Sequence, residues 1–502
     1  MSGNYNIEFY DHTDPLNAPV LKILNRDIWY VDNEGSCTIN CGKNWASAFS
    51  NIQDAVNNAT QGDEIWIKRG NYASSSQINI DRHLSIYGGF IGTETSRSQR
   101  DWKNNITTID GTNTIRCFYI TANSVLDGLV ITRGYANEGG GIYNSYCSNT
   151  MENCSFLGNS ASNDGGGMYN TNSRSILINC IFMGNNSANS GGGLYNYSSL
   201  TNGSGTSTIN NCKFIGNNAK SDGGGIDNFH IWPLIIRNSI FSGNKINGLN
   251  GRGGGALITQ SGATITNCTF AGNNSYYGGG LYIIYGDNNV TNCIFWGNGS
   301  EIRNASAWTL NVTNSDVQGG WTGTGNINQN PLFVNPSGPD NIIGTLDDNL
   351  RLQAGSPCID SGNSTDAPLT DIENNPRYDD PYIANTGIGD HPYFDMGAYE
   401  YVGLVTTTTT TPPTNIQLSL FHANPSGKRI TLQWQTESEI DNAGFNIYRS
   451  KKENGKYDKI NRTLIAADGS PTQGASYEYI DSGLMNGKTY SVFHFEHSHS
   501  HI

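Results

Sequence analysis

Six residues each stand immediately before a run of three glycines: Glu138, Asp164, Ser190, Asp222, Arg252 and Tyr277. If the chain returns to one place once per interval, these residues form a single stripe. Glu138 and Asp164 would then lie one repeat apart, about 5 Å if the repeats stack as strands. That is near the separation of a retaining pair of glycosidic carboxylates. Asp222 beside Arg252 would pair an acid with a base. A second stripe follows the glycines: Tyr143, Tyr169, Tyr195, Asp227, Leu257 and Tyr282. Turned outward, such tyrosines offer apolar ring faces and hydroxyls to a sugar. Each stripe has a plainer reading. Asp and Ser are common beside glycine for backbone reasons, and neighbouring tyrosines can simply stack on one another.

Something must bring these residues into register, and residues 139–298 supply it. The triplets begin at Gly139, Gly165, Gly191, Gly223, Gly253 and Gly278, and phenylalanines follow at 156, 182, 214, 241, 270 and 295. Three residues after each Phe comes an asparagine, from Asn159 to Asn298. A fixed phrase recurring every 25 to 32 residues is the mark of a solenoid. Helical repeats tolerate glycine triplets poorly, since each glycine costs about 0.8–1 kcal/mol in a helix. The short apolar runs alternate with polar residues, as strands do. The expectation is therefore an all-β protein, a right-handed parallel β-helix. Its Phe residues should form one buried column and Cys154, Cys180, Cys212, Cys268 and Cys293 another. Asn153, Asn179, Asn211, Asn238, Asn267 and Asn292 should bond amide to amide at the turns, and the glycines should allow tight corners at positive φ.

The chain of 502 residues has a net charge of −14, which argues against nucleic acid as a partner, where a basic face is expected. There is no run of 18 apolar residues to span a membrane, and no secretory leader is visible at the start. A composition rich in Asn, Ser, Thr, Gly and Tyr nonetheless points to an extracellular or cell-surface location. The ten cysteines do not imply five disulfides, because thiols repeated at one rung fit a core unbonded. Cys37 and Cys41, in a loop of their own, are the disulfide candidate.

Along the chain, residues 1–27 are irregular and 28–340 form the parallel β-helix. Trp45, Phe49, Ile52 and Val56 recur at helical spacing, so a short N-terminal helix over 44–59, with Asn44 as its cap, should cover the open end. The phrase decays after Asn298, with final coils expected at 312–317 and 330–333. Residues 341–404 form an acidic C-terminal cap; from Asp360 to Glu400 they carry seven Asp and two Glu against one Arg. Such an excess could hold Ca2+ in a loop or simply be solvated. A Thr/Pro linker spans 405–414. Residues 415–502 alternate like the strands of a small β-sandwich, with an ill-fitting histidine-rich tail that suggests an incomplete domain.

These phrases also carry resemblances. The Gly-Gly-Gly and Phe-x-x-Asn repeats resemble those of polymorphic outer-membrane proteins, surface β-helices that act as adhesins. Residues 45–49, 62–67 and 87–95 are similar to the N-terminal ends of secreted pectate-lyase-like β-helices. Residues 356–362 and 395–401 resemble the choice-of-anchor Q domain of bacterial surface proteins, and 434–450 resemble fibronectin type III domains. Together they imply a surface protein with a structural or adhesive role, a carbohydrate or cell-surface ligand and a capacity for self-association. Fold does not settle function, so a polysaccharide lyase or glycoside hydrolase working through Glu138, Asp164, Asp222 and Arg252 is the alternative. In the preferred reading no residue is catalytic, and Tyr143, Tyr169, Tyr195 and Tyr282 bind the ligand.

Overall fold

The computed structural model describes residues 26–402, apart from 38–39, 74, 200–205, 230–232, 260–261, 366, 381 and 392. Of the C-terminal unit it describes the strands and a few adjoining residues between 417 and 498. The chain forms two compact units, Met1–Gly403 and Leu404–Ile502.

One repeat shows how the sequence makes a coil. Strands at Ile142–Ser145, Ser148–Glu152, Ser155–Leu157 and Ser160–Ala161 alternate inward and outward residues. Corners between them fall at residues with left-handed backbone, Asn153 at φ 52° and Gly158 at φ 60°. Glycine and asparagine accept that conformation where other residues resist it. Each coil adds one strand to each face of the rod. Three long parallel sheets of eleven, nine and ten strands result, with a short five-stranded one between them: a right-handed parallel β-helix. Pairing is in register, so Phe156 lies over Phe182 and Tyr143 over Tyr169.

The phenylalanine column forms as the sequence implies. Rings from Phe156 to Phe295 stack in order at 4.3 to 5.0 Å and are fully buried. The five thiols at the repeated Asn-Cys position are free and buried; Ser239 takes the place in the fourth coil and donates to the Arg237 carbonyl. The asparagine expectation needs correction. The unbroken ladder belongs to the Phe-x-x-Asn residues, where each Nδ2 donates to the next Oδ1 at 2.9–3.0 Å from Asn159 to Asn298. A second buried ladder runs through Asn144, Asn170, Asn196 and Asn228. The turn asparagines bond to each other only between Asn179 and Asn153 and between Asn292 and Asn267. Asn211 and Asn238 turn instead to Asn374 and Thr370.

Only the first glycine of each triplet has positive φ, 58° to 68°. The second and third are required by close approach. A Cβ on Gly192 would lie 2.5 Å from the carbonyl oxygens of both Asn218 and Gly224.

At the N-terminal end the expected 44–59 helix is two pieces, a 3-10 turn Trp45–Ser47 capped by Asn44 and an α-helix Ile52–Asn58. The break arises because Asn51 caps the second piece, its side chain accepting from Gln53 N–H at 2.7 Å. Ile52, Ala55 and Val56 close the core. Cys37 and Cys41 are disulfide-bonded.

Residues 330–333 do not form a final coil. Phe333–Asn335 pairs antiparallel with Asn349–Leu352. The segment that follows lies along the flank of the rod rather than over its end. Ile372, Ala398 and Tyr399 pack on Ile240 and Ala271, and Cys358, Ile359 and Met396 pack on Ile294. The outward positions of the phenylalanine strands are apolar there because this segment covers them. A buried polar network holds it, with Arg377 paired to Glu400 at 2.6 Å and bonded to Asn238 at 3.0 Å.

The C-terminal unit has two antiparallel sheets, one built on Gln417–Ser426, Arg429–Ser438 and Ser476–Ser482, the other on Asn442–Ser450. Trp434 and Tyr477 from the first pack on Phe445 from the second, which makes the core of a small β-sandwich. Histidines 499 and 501 lie outside the described residues, as does the 405–414 linker.

Candidate functional site

The two stripes flank the glycine corner, and the register sets them in two adjacent columns along the rod. Gly139 N–H donates to the Asp164 carbonyl at 2.9 Å, so Glu138 and Asp164 occupy adjacent rungs. Ser190, Asp222, Arg252 and Tyr277 continue the stripe by successive parallel bridges. Tyr143, Tyr169, Tyr195, Asp227, Leu257 and Tyr282 run beside it.

Most of the acids are engaged within the protein. Asp164 is buried; its Oδ1 accepts from Asn189 Nδ2 at 2.8 Å and from Ser190 N–H at 3.0 Å. Burial raises its pKa, those bonds oppose the rise, and Glu138 and Asp222 add to it. Asp222 and Arg252 form a bidentate pair at 2.7 and 2.5 Å. The acid on the second stripe, Asp227, is 3% exposed, and its Oδ1 has no hydrogen-bond partner. Burial, with Asp222 and Asp164 nearby, pushes its pKa well above the ordinary carboxylate value. Glu138 alone is half-exposed with no side-chain bond among the described residues.

The tyrosines of the first coils do not turn their faces to solvent, as a sugar-stacking ladder requires. Tyr119, Tyr143, Tyr169 and Tyr195 stack on each other at 5.0 to 5.3 Å and 15° to 18°, each ring half-buried. What remains outside is a row of ring edges and hydroxyls. None of the four hydroxyls bonds to another described residue. Burial raises the pKa of Tyr143, Tyr169 and Tyr195, keeping them protonated donors. Tyr282 is 9% exposed and lies outside this stack, with Tyr277 at 6.3 Å. Asp227 and Leu257 interrupt the row between Tyr195 and Tyr282.

Two contributors escaped the sequence reading. Tyr119 begins the stack, and Arg116 lies over its first two rings, its guanidinium 5.7 Å from the Tyr119 and 5.0 Å from the Tyr143 ring centre and bonded to the Glu138 and Gly139 carbonyls. The signal was present, since Tyr119 precedes Tyr143 by 24 residues, one fewer than the shortest repeat. It was hidden because that coil carries Arg116-Cys117 where later coils carry glycines. Among the described residues no group of three or more His, Cys, Asp or Glu side chains is placed to hold a metal ion.

The chain matches no family model and no curated protein. Among solved structures it is similar to pectate lyase Pel9A, with 18% identity over 74% of this chain and 96% of that one, at a TM-score of 0.42.

Proposed function

We propose that this chain is an extracellular or cell-surface rod that binds glycans along its tyrosine ridge without cleaving them, in an adhesive or structural role. The observation that carries this reading is the row of four stacked tyrosines. Their 5.0–5.3 Å spacing sets the hydroxyls in a regular row along the rod, which a chain of repeating sugar units can follow. Their hydroxyls have no described protein partner, and the Glu138 carboxylate lies beside them to accept from sugar hydroxyls. Stacking fixes each ring, so little side-chain entropy remains to be lost on binding. The likeness of the repeats to those of surface adhesins supports the same role. No described helix is long and apolar enough to cross a membrane.

Cleavage fits less well, because Asp222 is spent on Arg252 and Asp227 is buried. One observation favours it. Asp164 has a raised pKa one rung from the half-exposed Glu138. A glycan array followed by calorimetry on positive oligosaccharides separates the two. The double variant Tyr143→Phe/Tyr169→Phe keeps the stack and removes two hydroxyls, and is expected to lose binding while melting like the parent. Absence of binding across neutral and acidic glycans would sink the ridge. Release of reducing or unsaturated ends that Glu138→Ala abolishes would establish the enzyme instead.

A further inference from the structure

The two columns beside the glycine corner change in charge along the rod. Glu138 and Asp164 stand on the coils of the stacked tyrosines, and further along Asp222 and Arg252 neutralise each other. In the last coils the column of Tyr143 runs through Tyr282 to Arg303, its partner in register. Arg303 is exposed, with its guanidinium 5.8 Å from the centre of the Tyr277 ring. It has no ion pair or hydrogen bond among the described residues. The acid two residues before it is turned away, for the Glu301 carboxylate accepts from the N–H and Nδ2 of Asn298. Tyr276 is 67% exposed, its ring perpendicular to Tyr277 at 4.5 Å, so a face of it is open to solvent. An open aromatic face and an uncommitted guanidinium therefore bear on one ring, that of Tyr277.

A guanidinium presents a planar fork of donors that matches a carboxylate, and a tyrosine face receives the apolar side of a sugar ring. Together they fit one acidic sugar. They do not fit a polyanion, because the guanidiniums nearer the ridge are already used. Arg252 is held by Asp222, and Arg116 donates to Gln77 and to the Glu138 and Gly139 carbonyls. Further carboxylates along the rod would meet Glu138 and Asp164 with no free guanidinium between. We propose that Tyr276, Tyr277 and Arg303 form a subsite for a single acidic sugar on an otherwise neutral glycan, whose neutral residues run toward the tyrosine ridge. From Arg303 back to Tyr195 is four rungs, about 19 Å at the strand spacing of a sheet. The acid at one end of the columns and the base at the other then set the direction in which the chain lies. The saccharide class rests on the ridge reading above; the preference for one negative charge rests on Arg303.

The test is calorimetry on the full chain with three probes: a neutral oligosaccharide capped by one uronic acid, the same molecule with that carboxyl reduced to the alcohol, and a homo-oligouronate of equal length. The capped probe is expected to bind about tenfold tighter than the reduced one, and the homo-oligouronate no tighter than the reduced one. Arg303→Gln should erase the preference without changing affinity for the reduced probe or the melting temperature. Arg303→Lys should restore only part of it, because an ammonium lacks the fork. Tyr276→Ala should weaken the capped probe. Equal affinity for capped and reduced probes, or a preference that survives Arg303→Gln, would overturn the subsite and leave the ridge standing. Tightest binding by the homo-oligouronate would overturn it as well. A preference lost in Arg303→Gln but indifferent to Tyr143→Phe/Tyr169→Phe would uphold the subsite and overturn the ridge. Silence toward all three probes would overturn both.

Discussion

Asn217 offers a direct test of what couples one coil to the next. Its Oδ1 accepts from both the backbone N–H and the Nδ2 of Asn185, at 3.1 and 2.9 Å. Its Nδ2 donates to Asn244 Oδ1 at 2.9 Å and to the Phe182 carbonyl at 2.8 Å. All of this is fully buried. Truncation to alanine leaves two Asn185 N–H groups without partners and removes one of the bonds to the Phe182 carbonyl. Asn244 Oδ1 keeps the Asn217 backbone N–H at 3.0 Å. Each buried orphan costs about 1–3 kcal/mol, so Asn217→Ala should lose about 2–6 kcal/mol. The neighbouring Asn218 bonds to Asn186 at the surface, and Asn218→Ala should cost under about 1 kcal/mol. Asn217→Asp keeps the shape but places a second acceptor against Asn244 Oδ1 and the Phe182 carbonyl, so it should destabilise more at pH 7 than at pH 4. Equilibrium urea unfolding followed by far-ultraviolet circular dichroism measures all three. A broken nearest-neighbour interface in a solenoid can also split the transition and lower its slope. If Asn217→Ala falls within 1 kcal/mol of Asn218→Ala with an unchanged slope, the ladder does not hold the coils together and the reasoning fails.

Two further outcomes follow from the same geometry. Gly192→Ala places a methyl 2.5 Å from two carbonyl oxygens and should abolish folding of the central coils, whereas Gly184→Ala, at φ 62° with open space around its Cβ, should cost only about 1–2 kcal/mol; soluble yield and melting temperature distinguish them. Burial raises Glu301 to a pKa of about 7 and Asp316 to about 6. Carboxyls raised above their unfolded values give stability that is present at pH 4 and declines as pH climbs through 6 to 7. Urea midpoints should therefore fall between pH 5 and pH 8, and Glu301→Gln should flatten that slope; a rising midpoint would contradict the assignment.

How much of this was legible without coordinates differs from residue to residue. The phenylalanine column and the stripes on either side of the glycines were readable, because period alone puts Phe156 over Phe182 and Asp164 beside Ser190. The asparagine ladder was assigned to the wrong position of the phrase. Turn and core asparagines share one period, and only the corner geometry sends Asn159 inward while Asn153 stands at the turn with left-handed backbone. The tyrosine row was found, but its ring faces proved to be turned on each other. Tyr119 was missed because its coil lacks the glycine signature.

The repeat by itself determined the fold, since every ladder joins residues one period apart and their identity is written in the phrase. Tertiary structure alone decided which surfaces stay open. Asn211 meets Asn374 and Lys213 meets Tyr399 across more than 160 residues, and no periodicity relates them. The same holds for charge. Whether an acid is paired like Asp222 or buried like Asp227 depends on which distant groups fill the space around it, because desolvation and partner geometry, not residue type, set the energy of a carboxylate.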